Sequence, residues 1–242
     1  MTTLAIGAPH AVSIEGYYSG SVIARKAFTI SVTALTSGIP DTSYNGSVTI
    51  YANSASSDTA YTLGSVYLSN GSGTSGSLTI SSVLGNGSGR KITVRDSYGN
   101  TSSVSVGVWF QGDATTFDGH TGDYCGNTPP TYYVALPAYS SVLPCGTSVV
   151  VYNPGTGKSV TAQRYDVGPF VPYHSCSEDP YWQTGNIPFN VQHKGETRGT
   201  LCGYPSDTTK INGAIIDLGI PTAQALGSSG YDTIPNALWR FT

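Results

Sequence analysis

Apolar residues alternate with polar ones along most of this chain, and they seldom recur at the three-to-four-residue spacing of a helix. Up to about Val108 the alternation falls into short runs: Ala27 to Leu35, Gly46 to Ala52, Gly64 to Leu68, Gly76 to Ser82, Lys91 to Asp96 and Ser102 to Phe110. Phe28, Ile30 and Val32 share one side of the first run; Val104, Val106 and Val108 share one side of the last. Clusters such as Ser69-Asn-Gly-Ser-Gly73 and Gly85-Asn-Gly-Ser-Gly89 break the runs with turn-forming residues. Short strands with a turn signal about every dozen residues predict an antiparallel β-sandwich. The strands give out at Gln111-Gly-Asp-Ala114, so the first domain is expected to span residues 1–112.

A second set of strands is predicted beyond that point: Tyr132 to Leu136, Ser148 to Tyr152, Ser159 to Tyr165, Ala214 to Leu218 and Ala237 to Phe241. One short helix is expected over Pro221-Thr-Ala-Gln-Ala-Leu-Gly227, with Pro in its first turn and Gly just past its end. Residues 170–210 show no periodicity and are rich in Pro, Gly, Tyr and His. An irregular stretch that long inside a compact domain is usually functional or stapled. The expected second domain is 113–242, and the fold class is all-β.

Charge and cysteine narrow the setting. Charged residues make up 10% of the chain and the formal net charge is −3, which offers no footprint for nucleic acid. No apolar run is long enough to span a bilayer. The opening Met1-Thr-Thr-Leu-Ala5 has neither a basic nor an apolar leader segment, so delivery by another route, such as a phage particle, stays open. All four cysteines, Cys125, Cys145, Cys176 and Cys202, fall in the second half, with no Cys-x-x-Cys pair. Two disulfides are expected, and of the three connectivities Cys125–Cys145 with Cys176–Cys202 closes the most local loops. Each would contribute roughly 3 kcal/mol on the chain-entropy account. The second would staple the 170–210 stretch, and both imply an oxidising, extracellular or cell-surface compartment, a virion included.

Two aspartates stand where strands normally bury apolar groups. Asp166 lies in Arg164-Tyr-Asp-Val-Gly-Pro-Phe170, and Asp217 directly follows Ala214-Ile-Ile216. Carboxylates at such places are costly unless solvated or paired, which points to a polar cleft. Taken in order, Leu143-Pro-Cys-Gly-Thr-Ser-Val-Val-Val-Tyr-Asn153, Gly157-Lys-Ser-Val160, Tyr165-Asp-Val-Gly-Pro169, Ile216-Asp-Leu218 and Ala225-Leu-Gly227 resemble the double-psi β-barrel superfamily. The order is most similar to rare-lipoprotein-A-like, expansin and barwin-like proteins, and the resemblance covers roughly Ala114 to Thr242. Phe28-Thr-Ile-Ser-Val-Thr-Ala-Leu35, Tyr44-Asn-Gly-Ser-Val-Thr-Ile50 and Asp96-Ser-Tyr-Gly-Asn-Thr101 are similar to bacterial immunoglobulin-like modules. The implied architecture is an immunoglobulin-like sandwich followed by a six-stranded double-psi barrel with short helices.

The resemblance implies a carboxylate site. Asp166 and Asp217 match acidic positions of expansins and rare-lipoprotein-A-like proteins. Asp118 stands where family 45 endoglucanases, which share the barrel, place an acid on the first barrel strand. Glycoside cleavage needs a protonated carboxyl near neutral pH, and a second carboxylate can activate water or attack directly. A capping or turn role is the competing reading for each aspartate, and for Asp118, followed by Gly119, it is the stronger one. Tyr165, Tyr173, Tyr181 and Trp182 are candidate sugar-stacking rings, with Glu178-Asp-Pro-Tyr-Trp182 as a platform, and pinning a loop as their alternative role. His120 is a candidate polar contact; a metal cluster with Asp118 and Asp123 is not expected. No metal or cofactor is called for. His10, His174 and His193 have no evident chemistry, and Trp239 reads as core. The Asn-x-Ser/Thr triplets at Asn45, Asn70, Asn86 and Asn100 read as turns. One departure from the family matters. Pro137-Ala-Tyr-Ser-Ser-Val142 lacks the histidine that wall-cutting relatives carry just before their Leu-Pro, here Leu143-Pro144.

The leading expectation is therefore cleavage of β-1,4-linked wall polysaccharide, peptidoglycan ahead of β-glucan. Non-catalytic, expansin-like wall binding is the alternative. A structural or adhesive role on a virion or cell surface, partnered through the first module, is the third reading.

Overall fold

The computed structural model describes residues 2–6, 20–53, 61–119, 124–126, 128–169 and 175–242. Strands take 46% of the described residues and helices 9%, so the class is all-β. The chain divides into two compact units, Met1–Trp109 and Phe110–Thr242.

In the first unit, β1 (Thr2–Ile6), β5 (Ile39–Pro40) and β8 (Ser72–Thr74) each pair antiparallel with β4 (Ser31–Thr36). A second sheet runs β7 (Tyr61–Leu68), β6 (Gly46–Asn53), β10 (Gly89–Asp96) and β11 (Thr101–Phe117), all antiparallel. β2 (Ser21–Ile23) joins β11 in parallel, and β3 (Ala27–Phe28) pairs with β9 (Leu78–Thr79). The alternation read from the sequence becomes burial here. Val32 and Ala34, Val48 and Ile50, and Ile92 and Val94 are all sealed from solvent, as are Val106 and Val108.

Two predicted strands are shorter than expected. The run from Ala27 is interrupted at Thr29 and Ile30, and the run from Gly76 keeps only Leu78–Thr79 in a ladder. Part of the cause is Ser75, whose hydroxyl accepts from the Ile30 amide at 3.0 Å and takes the place of a backbone partner. The hairpin between β10 and β11 is tied by Asp96. Its carboxylate accepts from the amides of Tyr98 (2.9 Å) and Asn100 (2.8 Å) and from the Asn100 side chain (2.9 Å).

The strand expected to end at Phe110 continues to Phe117. Residues 101–109 of β11 belong to the first unit and 110–117 to the second. Gly112-Asp113 does not stop the strand; a bulge between Gly112 and Ala114 absorbs it.

The second unit is a closed six-stranded mixed barrel. Its other strands are β12 (Tyr133–Leu136), β13 (Ser148–Asn153), β14 (Lys158–Val167), β15 (Ile216–Gly219) and β16 (Ile234–Phe241). Around the ring, β11 pairs with β16, β16 with β13, β13 with β14, β14 with β12, β12 with β15, and β15 returns to β11. The β11–β15 and β12–β14 pairs are parallel and the rest antiparallel. Closure leaves no free edge among these six. The predicted helix forms as α4 (Ile220–Ala225), with Gly227 beyond it at φ +85°. Thr222, fully buried, locks α4 to β12: its hydroxyl accepts from the Tyr133 amide and donates to the Tyr133 carbonyl, both at 2.8 Å.

Both expected disulfides are present, Cys125–Cys145 and Cys176–Cys202. The stapled stretch contains three one-turn helices, α1 (Tyr181–Thr184), α2 (Phe189–Gln192) and α3 (Arg198–Leu201), which are too short for hydrophobic periodicity to reveal.

Candidate functional site

β15 is four residues long and carries one charge, Asp217, between Ile216 and Leu218, both sealed in the core. The ladders fix what lies beside it. Asp217 is opposite Thr115 of β11 on one side and Ala135 of β12 on the other, and Ala135 is opposite Asp166 of β14. Thr115, Asp217, Ala135 and Asp166 therefore form one row across four adjacent strands. Neighbouring strands lie about 4.8 Å apart, so the backbones bearing the two aspartates are separated by roughly 10 Å. Ala135 is the residue between them in this row. A bulge in the β12–β14 register, between Val134 and Ala135, sets Asp166 into this row.

Asp217 is enclosed by protein yet keeps partial contact with solvent, the situation of a group at the bottom of a recess. Burial pushes its carboxyl up to about 7; a hydrogen bond from the Thr115 hydroxyl pulls it down, and the charge of Asp166 pushes it up again. Asn212 supports this contact, its amide nitrogen 3.4 Å from the Thr115 hydroxyl. Asp166 accepts from the Tyr124 amide at 3.2 Å.

A cation sits beneath Asp166. Arg164 is 1% exposed, donates to the Ala138 carbonyl at 2.7 Å, and lies 4.7 Å from the centre of the Tyr124 ring. Burial lowers the affinity of its guanidinium for the proton, while Tyr124, Asp166 and Glu178 favour the charged form. Asn190, also buried, ties together the chain ends that carry the two aspartates. Its amide donates to the Pro169 carbonyl (2.7 Å) and the Ala214 carbonyl (3.1 Å).

The other sequence-predicted residues are placed differently. Asp118 is exposed just past the end of β11; the β11 residue beside Asp217 is Thr115. Tyr181 and Trp182 offer no face to a sugar, because both are fully buried. Their rings pack edge-on against Trp239, and the Tyr181 hydroxyl accepts from the Trp239 indole at 2.9 Å and donates to the Ile215 carbonyl at 2.8 Å. The run Glu178-Asp-Pro-Tyr-Trp182 thus anchors the stapled stretch to the barrel core, and its acidic members are acceptors: Glu178 for the Tyr139 amide, Asp179 for the Phe189 amide. Tyr165 is 3% exposed and packs edge-on against Tyr133. Trp239 is core, as read. His193 stacks on Phe189 and meets Glu196 at 3.0 Å. His120 and Tyr173, with His10, Asp123 and His174, lie outside the described residues.

Thr115, Asn212 and Arg164 escaped the sequence reading. Arg164 had a signal: a charge in strand alternation two residues before a candidate acid. Thr115 had none, since its role arises from pairing with a strand a hundred residues away. No family model, curated protein or solved structure matches this chain.

Proposed function

We propose that the second unit is a double-psi β-barrel that cleaves β-1,4-linked cell-wall polysaccharide, peptidoglycan ahead of β-glucan. Asp217 acts as the proton-donating carboxyl. The observation that carries this reading is the placement of Asp217: a carboxyl pushed up to about 7, in a recess that solvent still reaches, with a second carboxylate two strands away. A group with that acidity holds its proton near neutral pH and gives it up readily to a leaving glycosidic oxygen. Asp166 then raises the pKa of its neighbour and stabilises positive charge developing on the sugar. Lytic transglycosylation needs Asp217 alone, with a substrate hydroxyl as nucleophile. The two parallel pairs in the ring support the double-psi assignment. The first unit is proposed as an immunoglobulin-like module that docks the barrel on a wall, virion or cell surface.

Expansin-like binding without cleavage is the second reading, favoured by the missing histidine before Leu143. Mass spectrometry of soluble products from purified peptidoglycan, and in parallel from amorphous cellulose, separates these readings. Anhydro-muropeptides indicate transglycosylation and new reducing ends hydrolysis. Retention on the polymer without products replaces the catalytic reading with the binding one.

A further inference from the structure

The two disulfides differ in exposure. Cys202 is fully buried and Cys176 half-buried, whereas Cys145 is exposed and Cys125 half-buried. Cys125 and Cys145 line a cavity of about 210 Å³ together with Gln163 and Arg164. Into this place the fold directs a buried cation. Arg164 Nη1 lies 3.0 Å from the Cys145 sulfur and 3.4 Å from the Cys125 sulfur, and its Nε has no partner among the described residues. An intact disulfide carries no charge for a guanidinium to balance. Once the bond breaks, a departing sulfur does.

We infer that Cys125–Cys145 is a thiol–disulfide exchange site, open to small dithiols, with Arg164 stabilising the leaving thiolate. A dithiol thiolate attacks the sulfur of Cys145, the more exposed of the two residues, and forms a mixed disulfide. The Cys125–Cys145 bond breaks, and its electron pair leaves on the Cys125 sulfur beside Arg164. The second thiol of the reagent loses its proton and attacks the mixed disulfide, expelling the Cys145 thiolate. The dithiol is oxidised to its disulfide, the protein disulfide gains two electrons, and the two protons pass to the cysteine sulfurs or to solvent. Lability of exposed bonds and stabilisation of thiolates by adjacent cations are general properties of cysteine.

The bond is also wired to the candidate site. Cys125 follows Tyr124, whose amide holds Asp166 at 3.2 Å and whose ring lies against Arg164. Opening the disulfide frees this segment and loosens its grip on Asp166. The exchange step does not depend on the glycan reading; only a resulting change in turnover would.

Oxidised full-length protein is titrated with dithiothreitol at neutral pH, quenched by alkylation and mapped by peptide mass spectrometry. Cys125 and Cys145 should become labelled at dithiothreitol concentrations at least about tenfold below those that open Cys176–Cys202. In the selectively reduced protein, the pH dependence of alkylation should place one of the two thiols below the usual value of about 8.5, and Arg164→Gln should return it towards that value. Simultaneous opening of both disulfides, or earlier opening of Cys176–Cys202, overturns the assignment, as does an alkylation profile at or above the ordinary thiol range. These wild-type measurements decide the matter even where Arg164→Gln does not fold. Hydrogen exchange at the peptide containing Tyr124 should rise on selective reduction; unchanged exchange removes the link to Asp166.

Discussion

Replacing Asp217 by Asn should separate what the carboxyl does for the fold from what it does for chemistry. The carboxyl is pushed from its usual 3.8 up to about 7, so between those two pH values the folded chain holds a proton that the unfolded chain has released. The stability that Asp217 contributes is then fully present below pH 4, falls as pH rises, and is gone above about 7. At about 1.4 kcal/mol per pH unit, the span from 3.8 to about 7 has an upper limit of roughly 4 kcal/mol, which solvent contact in the recess reduces. Asp217→Asn keeps the shape and the acceptor for Thr115 but has no proton to lose. Its unfolding free energy from urea titration should match wild type at pH 4 and exceed it at pH 8, by on the order of 2–4 kcal/mol in the barrel. Hydrogen exchange of β12 and β15 peptides along the urea series reads the barrel separately from the first unit. Turnover should fall by a factor of roughly 10²–10⁴, because an amide cannot donate the proton. Parallel stability curves for the two proteins from pH 4 to pH 8 would refute the raised pKa. Wild-type turnover in the variant would refute the catalytic role.

Asp166→Asn removes the charge that helps raise Asp217, so the alkaline limb of the activity profile should move to lower pH; an unmoved limb means the two carboxyls do not interact. Asp96→Ala removes three hydrogen bonds accepted by one carboxylate in the β10–β11 hairpin and should destabilise the first unit by roughly 1–3 kcal/mol, measured by hydrogen exchange of its strands. Burial works against the Asp96 charge, but hydrogen bonds from Asn100 and Tyr98 outweigh it and hold the carboxyl below its usual range. That contribution is therefore present above about pH 4 and lost as pH falls further, so the variant's deficit should shrink in acid. Gly219→Ala would drive a methyl into the Tyr133 ring and should cost roughly 1–3 kcal/mol of barrel stability; a variant as stable as wild type would show that the ring moves aside freely.

The parts of this protein that sequence makes legible are those encoded locally. Alternation with period two marks β6, β10 and β14 because each strand's own side chains divide between core and solvent. The Pro221 and Gly227 signals place α4 for the same reason. Local loop closure also singles out the disulfide pairing that the fold adopts. The aromatic run at Tyr181-Trp182 misleads because burial is not a local property. A Tyr-Trp pair in a long irregular stretch looks like a binding platform until the staple and the Tyr181 hydroxyl draw it beneath Trp239.

The candidate site depends on closure of the ring, and this is why the chain yields its acids but not their partners. Asp217 is conspicuous as a charge in an apolar strand, a cost that a fold accepts only for a reason. What makes it chemically distinct is the register: Thr115 on one side, Ala135 on the other, Asp166 one strand further. A shift of one residue in the short β12–β15 pairing would turn Asp217 to the opposite face of the sheet, away from Thr115 and Asp166. Two features oppose that slip. Thr222 pins Tyr133 of β12 through both its backbone groups, and Asn190 ties Pro169 to Ala214, the positions leading out of β14 and into β15. Two buried polar side chains, on α4 and α2, thus hold the register that surrounds Asp217 without touching it.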